Sequence, residues 1–138
     1  MISITEKSRS AVLALTELAR RGDAGPVPIL ELAESRDIPL HFLEQLLAGL
    51  RRAGILQSQR GVKGGYSFRR DPAEVTVLEI VETVDGRIRV DDEDAPPTVG
   101  DWVWREARLR LADLFGELTI ADIAEREARD ESAPMFHI

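Results

Sequence analysis

The sequence contains no cysteine in its 138 residues. That absence removes disulfides, thiolate nucleophiles and thiolate-held metal centres together. Histidine is almost as scarce: His41 and His137 stand far apart in sequence, too few and too distant for a zinc site. No Ser/His/Asp set or metal cluster supports an enzyme. The longest apolar runs fall well short of a bilayer span, and the N-terminus has no signal-peptide pattern. There is no internal repeat. The expectation is a cytoplasmic, non-enzymatic protein without a cofactor.

What is present is a skewed charge distribution. The net charge of −7 argues against a nucleic-acid partner until it is divided along the chain. Residues 1–72 hold 11 Lys/Arg against 8 Asp/Glu, a net of +3, whereas residues 73–138 hold 7 against 17, a net of −10. Residues 51–70 contain six basic side chains and no acidic one. Scattered surface charge does not explain a one-signed run of that length. A basic DNA-facing half joined to an acidic half does. A hydrophobic content of 43% fits one globular domain with a proper core and a dimerisation appendage.

Ser3-Ile4-Thr5-Glu6 has the form of a capping box at a helix start, followed by Ala11, Val12, Leu15, Leu18 and Ala19 at helical spacing and a stop at Gly22. The loop Gly25-Pro26-Val27-Pro28 leads to a short helix with Ile29, Leu32 and Ala33 on one face. After the turn Asp37-Ile38-Pro39, a third helix spans about 39–53 and Gly54 ends it. Strands at 55–59 and 66–69 flank the turn Gly61-Val62-Lys63-Gly64-Gly65, with Tyr66 and Phe68 on one side of a half-buried hairpin. Thr76-Val77-Leu78-Glu79 is a second capping box, opening a helix with Val77, Ile80, Val81 and Val84 inward. Residues 85–98 read as a loop holding Asp91-Asp92-Glu93-Asp94. A long helix over about 99–117 carries Val103, Ala107, Leu111, Leu114 and Leu118 at spacings of four, four, three and four. Thr119 caps a last short helix with Ile120, Ile123 and Ala124. The fold class is therefore mainly α with a small β-hairpin wing: a winged helix–turn–helix domain over 1–84, an acidic loop over 85–98, and a dimerisation helix with a C-terminal tail over 99–138.

On a helical wheel the third helix puts Leu43, Leu46, Leu47 and Leu50 together, with His41, Gln45, Ala48 and Arg52 nearly opposite and Glu44 on the flank. The outward side is small and polar enough for a major groove. Gln45 can pair with an adenine edge, and Glu44 can accept from a cytosine amino group. Alone, such a helix is an ordinary amphipathic helix with a wet face. Directly after it stand Arg51, Arg52, Arg60, Lys63, Arg69 and Arg70 around a hairpin. Glycines 61, 64 and 65 let the tip turn tightly and approach a phosphate, which Arg60 and Lys63 can neutralise. This is not a nucleotide phosphate loop, because Lys63 leads into a strand rather than a helix. Nor is 91–94 an EF-hand, since the alternating ligands and distal glutamate are missing.

Phe42-Leu43-Glu44-Gln45-Leu46 and Arg60-Gly61-Val62-Lys63-Gly64-Gly65-Tyr66 resemble the paired signatures of the Rrf-two (Rrf2) family of bacterial regulators, with Phe42 for the usual tyrosine. The likeness runs from Ile4-Thr5-Glu6-Lys7 to Leu118-Thr119-Ile120-Ala121-Asp122. It implies homodimers on partly palindromic double-stranded DNA, upstream of genes they usually repress. It also implies base reading by Glu44 and Gln45 and minor-groove entry by Arg60, within a DNA-binding set of His41, Glu44, Gln45, Arg52, Arg60, Gly61, Lys63, Gly64, Gly65 and Tyr66. Two departures stand out: Ser10 replaces a tyrosine common in the first helix, and Pro39 replaces a capping serine. Many members hold an iron–sulfur cluster on three cysteines after the fourth helix. Here that loop offers neither Cys nor His, so cluster sensing is chemically excluded.

Within the family the chain is most similar to the cluster-free, cysteine-metabolism branch (the CymR type), through the acidic loop, Trp102 and Trp104 leading the dimer helix, and the ending Met135-Phe136-His137-Ile138. This resemblance implies a sensor that works through cysteine synthase (O-acetylserine sulfhydrylase). That enzyme's active site takes the isoleucine-ended tail of serine acetyltransferase, and Phe136, His137 and Ile138 have a comparable end. Packing of the apolar tail on the partner subunit is the alternative. Dimerisation is expected through Trp102, Val103, Ala107, Leu111, Leu114 and Leu118. Two other functional readings stand beside the first: a regulatory subunit that holds an enzyme without binding DNA, and a cluster-free regulator of an unrelated stress regulon.

Overall fold

The computed structural model describes residues 5–88 and 100–133. Within them the order is α1 (Glu6–Arg20), α2 (Ile29–Arg36), α3 (Leu40–Arg52), β1 (Leu56–Gln59), β2 (Gly65–Phe68), α4 (Val77–Asp85), α5 (Asp101–Glu117) and α6 (Ile120–Ser132). The first three helices wrap a core in which Leu15, Leu32, Leu43, Leu47, Leu50, Ile55, Leu56, Ile80 and Ile120 are fully buried. Each such side chain is worth about 1.5–3 kcal/mol in transfer from water. The leucine spacing of α3 thus fixes its orientation: Leu43, Leu46, Leu47 and Leu50 point inward, so the opposite stripe faces solvent.

The starts of α1 and α4 depart from a simple pattern reading. α1 starts at Glu6 and Thr5 caps it, its hydroxyl accepting from the Lys7 amide at 3.1 Å, while Ser3 of the box read from the sequence lies outside the described residues. Thr5 also donates its own amide (3.2 Å) and hydroxyl (2.7 Å) to Asp85 at the end of α4, and the Ser8 hydroxyl donates to the same carboxylate. Burial opposes the charge on Asp85, but the hydrogen bonds from Ser8 and Thr5 outweigh it and hold its carboxyl below the usual range. The second box is one-sided. Thr76 accepts from the Glu79 amide at 3.1 Å, while the Glu79 carboxylate is taken by Arg70.

The turn between α2 and α3 is three residues long. Asp37 adopts a left-handed φ of 53°, which Asp tolerates better than most residues, and Ile38 is buried. Pro39 sits one position before the first helical residue, at the cap. After α3, β1 and β2 pair antiparallel with Gln59 opposite Gly65. A third segment joins them unannounced by the sequence pattern: Val27, read as loop, exchanges both main-chain hydrogen bonds with Tyr66 at 2.9 Å. The hairpin is therefore anchored to the α1–α2 connection.

α5 packs on α4 through buried Ala112, with Leu111, Phe115 and Leu118 beside it. The apolar stripe read from the sequence consequently splits. Leu111 and Leu118 turn inward within the protomer, whereas Val103, Ala107 and Leu114 are exposed together with Trp102, Trp104 and Leu109. α6 is a 13-residue helix rather than a short one, opened by a complete Thr119/Asp122 capping box. Its entry is stitched to the start of α4: Val77 donates to the Leu118 carbonyl and Ile120 to that of Val75, both at 2.9 Å. α6 then lies back along α1 instead of extending the α5 arm, and Ile120 joins the main core.

The acidic charge of the C-terminal half is partly spent here. Glu127 accepts from Arg20 at 2.6 Å and from Arg36 at 2.5 Å, and Glu131 accepts from Arg20 at 2.5 Å. The Arg36 hydrogen bonds, then those of Arg20, hold the Glu127 carboxyl down at about 2. Because the folded value is depressed, this stabilisation is complete above the ordinary value of 4.5 and is lost as pH falls towards 2. We expect Tm to drop across that window in the wild type and to drop less in Glu127→Gln, which has no proton to take up there. Equal acid slopes in thermal melts of the two proteins would show that the pair contributes nothing.

Candidate nucleic-acid interface

α3 presents His41, Glu44, Gln45 and Arg52 as exposed side chains, with Ala48 half-buried between them. The contacts among them are loose: 3.5 Å from the Gln45 amide nitrogen to His41 Nε2, and 3.6 Å from His41 Nδ1 to Glu44. Neither is tight enough to hold the side chains against a competing base edge. An α-helix with a small polar outer stripe has the width and the donors and acceptors for the major groove.

The wing stands beside this stripe. At its tip the Gly64 amide donates to the Gly61 carbonyl at 2.9 Å, and Arg60, Gly61, Val62 and Lys63 are exposed. Gly64, Gly65 and Tyr66 form the inner side instead. A Cβ on Gly64 would lie 2.2 Å from the Gln59 carbonyl oxygen. One on Gly65 would lie 2.3 Å from the Val27 carbonyl. The Tyr66 ring packs, half-buried, against the main core. These two glycines therefore serve close backbone approach within the wing and its seat.

Charge pairing divides the molecule. Arg20, Arg21 and Arg36, on α1 and α2, are all ion-paired to glutamates. Among the described residues Arg52, Arg60, Lys63 and Arg69, at the end of α3 and around the wing, have no acidic partner, Arg51 meets only the Ser58 hydroxyl at 3.4 Å, and Arg70 of the same run is paired to Glu79. Unpaired cations on a helix and wing are the sites at which phosphate binding releases counterions. The sequence-wide asymmetry anticipates the basic face. It does not anticipate that Arg20 and Arg36 are neutralised by a distant helix, whereas the Glu17–Arg21 pair stands at the i,i+4 spacing of a helix.

Among the described residues, no group of three or more His, Cys, Asp or Glu is placed to hold a metal, and the chain has no thiolate to bind an iron–sulfur cluster. No described helix is long and apolar enough to cross a membrane. The acidic run 91–94 and the tail residues Phe136, His137 and Ile138 lie outside the described residues.

A helix–turn–helix followed by a glycine-tipped hairpin, with an unpaired basic face on both, defines a winged-helix DNA-binding transcription regulator. The Rrf2 family, described as an iron-dependent transcriptional regulator, matches residues 4–126, and the chain belongs to that family. It is 30% identical to the HTH-type transcriptional regulator CymR of Bacillus subtilis over 139 residues, covering 99% of this chain and all of that protein. It is 29% identical to IscR of Escherichia coli over 131 residues, 90% of this chain and 81% of IscR. Among solved structures, B. subtilis CymR, titled the global cysteine regulator, superposes with a TM-score of 0.81 at 28% identity over 91% of this chain and 98% of that one. T. potens IscR superposes with a TM-score of 0.84 at 27% identity, over 98% and 95% of the two chains. These relatives are transcriptional regulators, not enzymes.

Proposed function

We propose that this regulator binds a partly palindromic operator as a homodimer, with α3 reading bases in the major groove and the wing holding the backbone. The observation that carries the proposal is that Arg52, Arg60, Lys63 and Arg69 have no acidic partner among the described residues, while His41, Glu44 and Gln45 of α3 are exposed. In this reading Glu44 and Gln45 specify sequence, Arg60 enters the minor groove and Lys63 neutralises a phosphate. Residues 1–84 with α6 form the DNA-binding body, and α5 pairs the two copies.

Reading and holding separate cleanly in mutants. Gln45→Ala should cost about 1–3 kcal/mol on the cognate duplex and relax preference at one position. Lys63→Ala should weaken all sequences alike and lower the salt slope by about one unit. Titrations of both variants on cognate and scrambled duplexes check this. Unaltered sequence preference in Gln45→Ala would remove α3 as the reader.

The finer reading is a repressor of sulfur and cysteine-supply genes that signals through cysteine synthase. It is supported by the likeness to CymR. Its chemical rationale is the segment Phe136-His137-Ile138, whose apolar side chains a pocket of that enzyme can accept. Deleting Ile138 should abolish binding to the same organism's cysteine synthase while leaving operator affinity unchanged. Calorimetry with both tails decides it, and equal binding would end this part of the reading.

A further inference from the structure

Arg36 closes α2, the first helix of the helix–turn–helix, and its side chain is the least exposed of the charged ones of that helix, 14% accessible. It spends three donors on two other helices. Its Nε donates to Glu17 of α1 at 3.1 Å, and its two terminal nitrogens form a fork on Glu127 of α6 at 2.9 and 2.5 Å. Glu127 also accepts from Arg20 of α1, so the carboxylate is the point where α1, α2 and α6 meet. A planar fork of this kind fixes direction as well as distance, which a point charge does not.

What Arg36 holds is passed on to the reading helix. Only Asp37, Ile38 and Pro39 separate α2 from α3, and none of them is slack. Ile38 is buried and donates to the Ala33 carbonyl at 2.9 Å, and the proline ring restricts φ. On the other side, α6 follows α5 after two residues and is bonded to the start of α4. The chain therefore runs from the exposed α5 arm, through α6 and Glu127, to Arg36 and the posture of α3.

We propose that Glu127 and Arg36 are positioning residues for DNA reading: α6 holds α2 through their fork and so sets the angle at which α3 meets a base pair. This rests on α3 being the reader. A change that draws α6 off α1 would loosen sequence reading before it loosened attachment to the backbone, because the unpaired cations of the wing lie outside the fork.

The test uses the full chain, a duplex selected by the wild type from random sequences, and a scrambled duplex of the same composition. Glu127→Gln should lower affinity for the selected duplex about tenfold while affinity for the scrambled one stays within about twofold. Arg36→Lys, which keeps the charge and loses the fork, should behave in the same direction and serves if the first variant folds poorly. Glu131→Gln, which removes an Arg20 partner but leaves Arg36 untouched, should keep the wild-type ratio. Measurements are made well below each variant's melting temperature, with dimerisation checked by sedimentation. An unchanged selected-to-scrambled ratio in both fork variants, or an equal loss in Glu131→Gln, would overturn the proposal. If the wild type itself failed to discriminate the duplexes, the assignment of α3 as reader would fall first, and the positioning role with it.

Discussion

A valine in place of Gly64 should cost operator affinity on the order of 10–100-fold while leaving the helical body folded. The reason is local and steric. Its Cβ would lie 2.2 Å from the Gln59 carbonyl oxygen and 2.9 Å from the Gly61 carbonyl oxygen, both of them backbone. Backbone does not rotate away as a side-chain end does, so the tip must open, breaking the Gly64–Gly61 hydrogen bond. Such overpacking costs about 1–3 kcal/mol, which a body with its own core survives. Arg60 and Lys63, which flank this turn, then lose their placement relative to α3. Circular dichroism should remain helical and the salt slope should flatten as phosphate contacts are lost. Wild-type affinity in a folded Gly64→Val protein would mean that the wing is not part of the interface.

Leu114→Asp should convert the dimer into folded monomers with greatly weakened operator binding. Leu114 is the right position because it is 50% exposed in the isolated chain. By contrast, Leu111 is packed beside Ala112 against α4, so an aspartate there would damage the protomer itself. On α5 the exposed set Trp102, Val103, Trp104, Leu109 and Leu114 makes an apolar surface that a second copy can cover. Splitting the dimer removes the effective concentration that lets the second half-site bind after the first, a factor that reaches about 10²–10⁴. Sedimentation at micromolar concentration should show a dimer for the wild type and a monomer for the variant. A wild-type monomer would contradict the pairing of copies through α5.

Much of the reading half was legible because its signals are local. The four leucines of α3 repeat at helical spacing, so burying them also sets the outward stripe of His41, Gln45 and Arg52. Gly54, Asp37-Ile38-Pro39 and the glycine cluster at 61–65 are turn chemistry with one structural meaning each. What escaped the sequence is long-range. Nothing near Val27 marks it as the strand that seats the wing, since its partner Tyr66 is 39 positions away. The split of the α5 stripe depends on where α4 lies, which periodicity does not encode. The same holds for α6: no local pattern names the partners of Glu127 and Glu131, which neutralise arginines more than 90 positions earlier. For the interface itself, the sequence located the basic run but not which of its members are paired: Arg70 is held by Glu79, whereas Arg52, Arg60, Lys63 and Arg69 have no acidic partner among the described residues.

The central claim, that α3 and the wing together read DNA, is tested most directly by selection from random duplexes with the full chain, followed by titration of the enriched duplex across salt. We expect a partly palindromic consensus, with binding at least about a thousandfold tighter than to scrambled DNA, in the range typical of specific regulators, and with a steep loss of affinity as salt rises. No enriched sequence, or enrichment unchanged when Gln45 and Arg60 are both replaced by alanine, would contradict it.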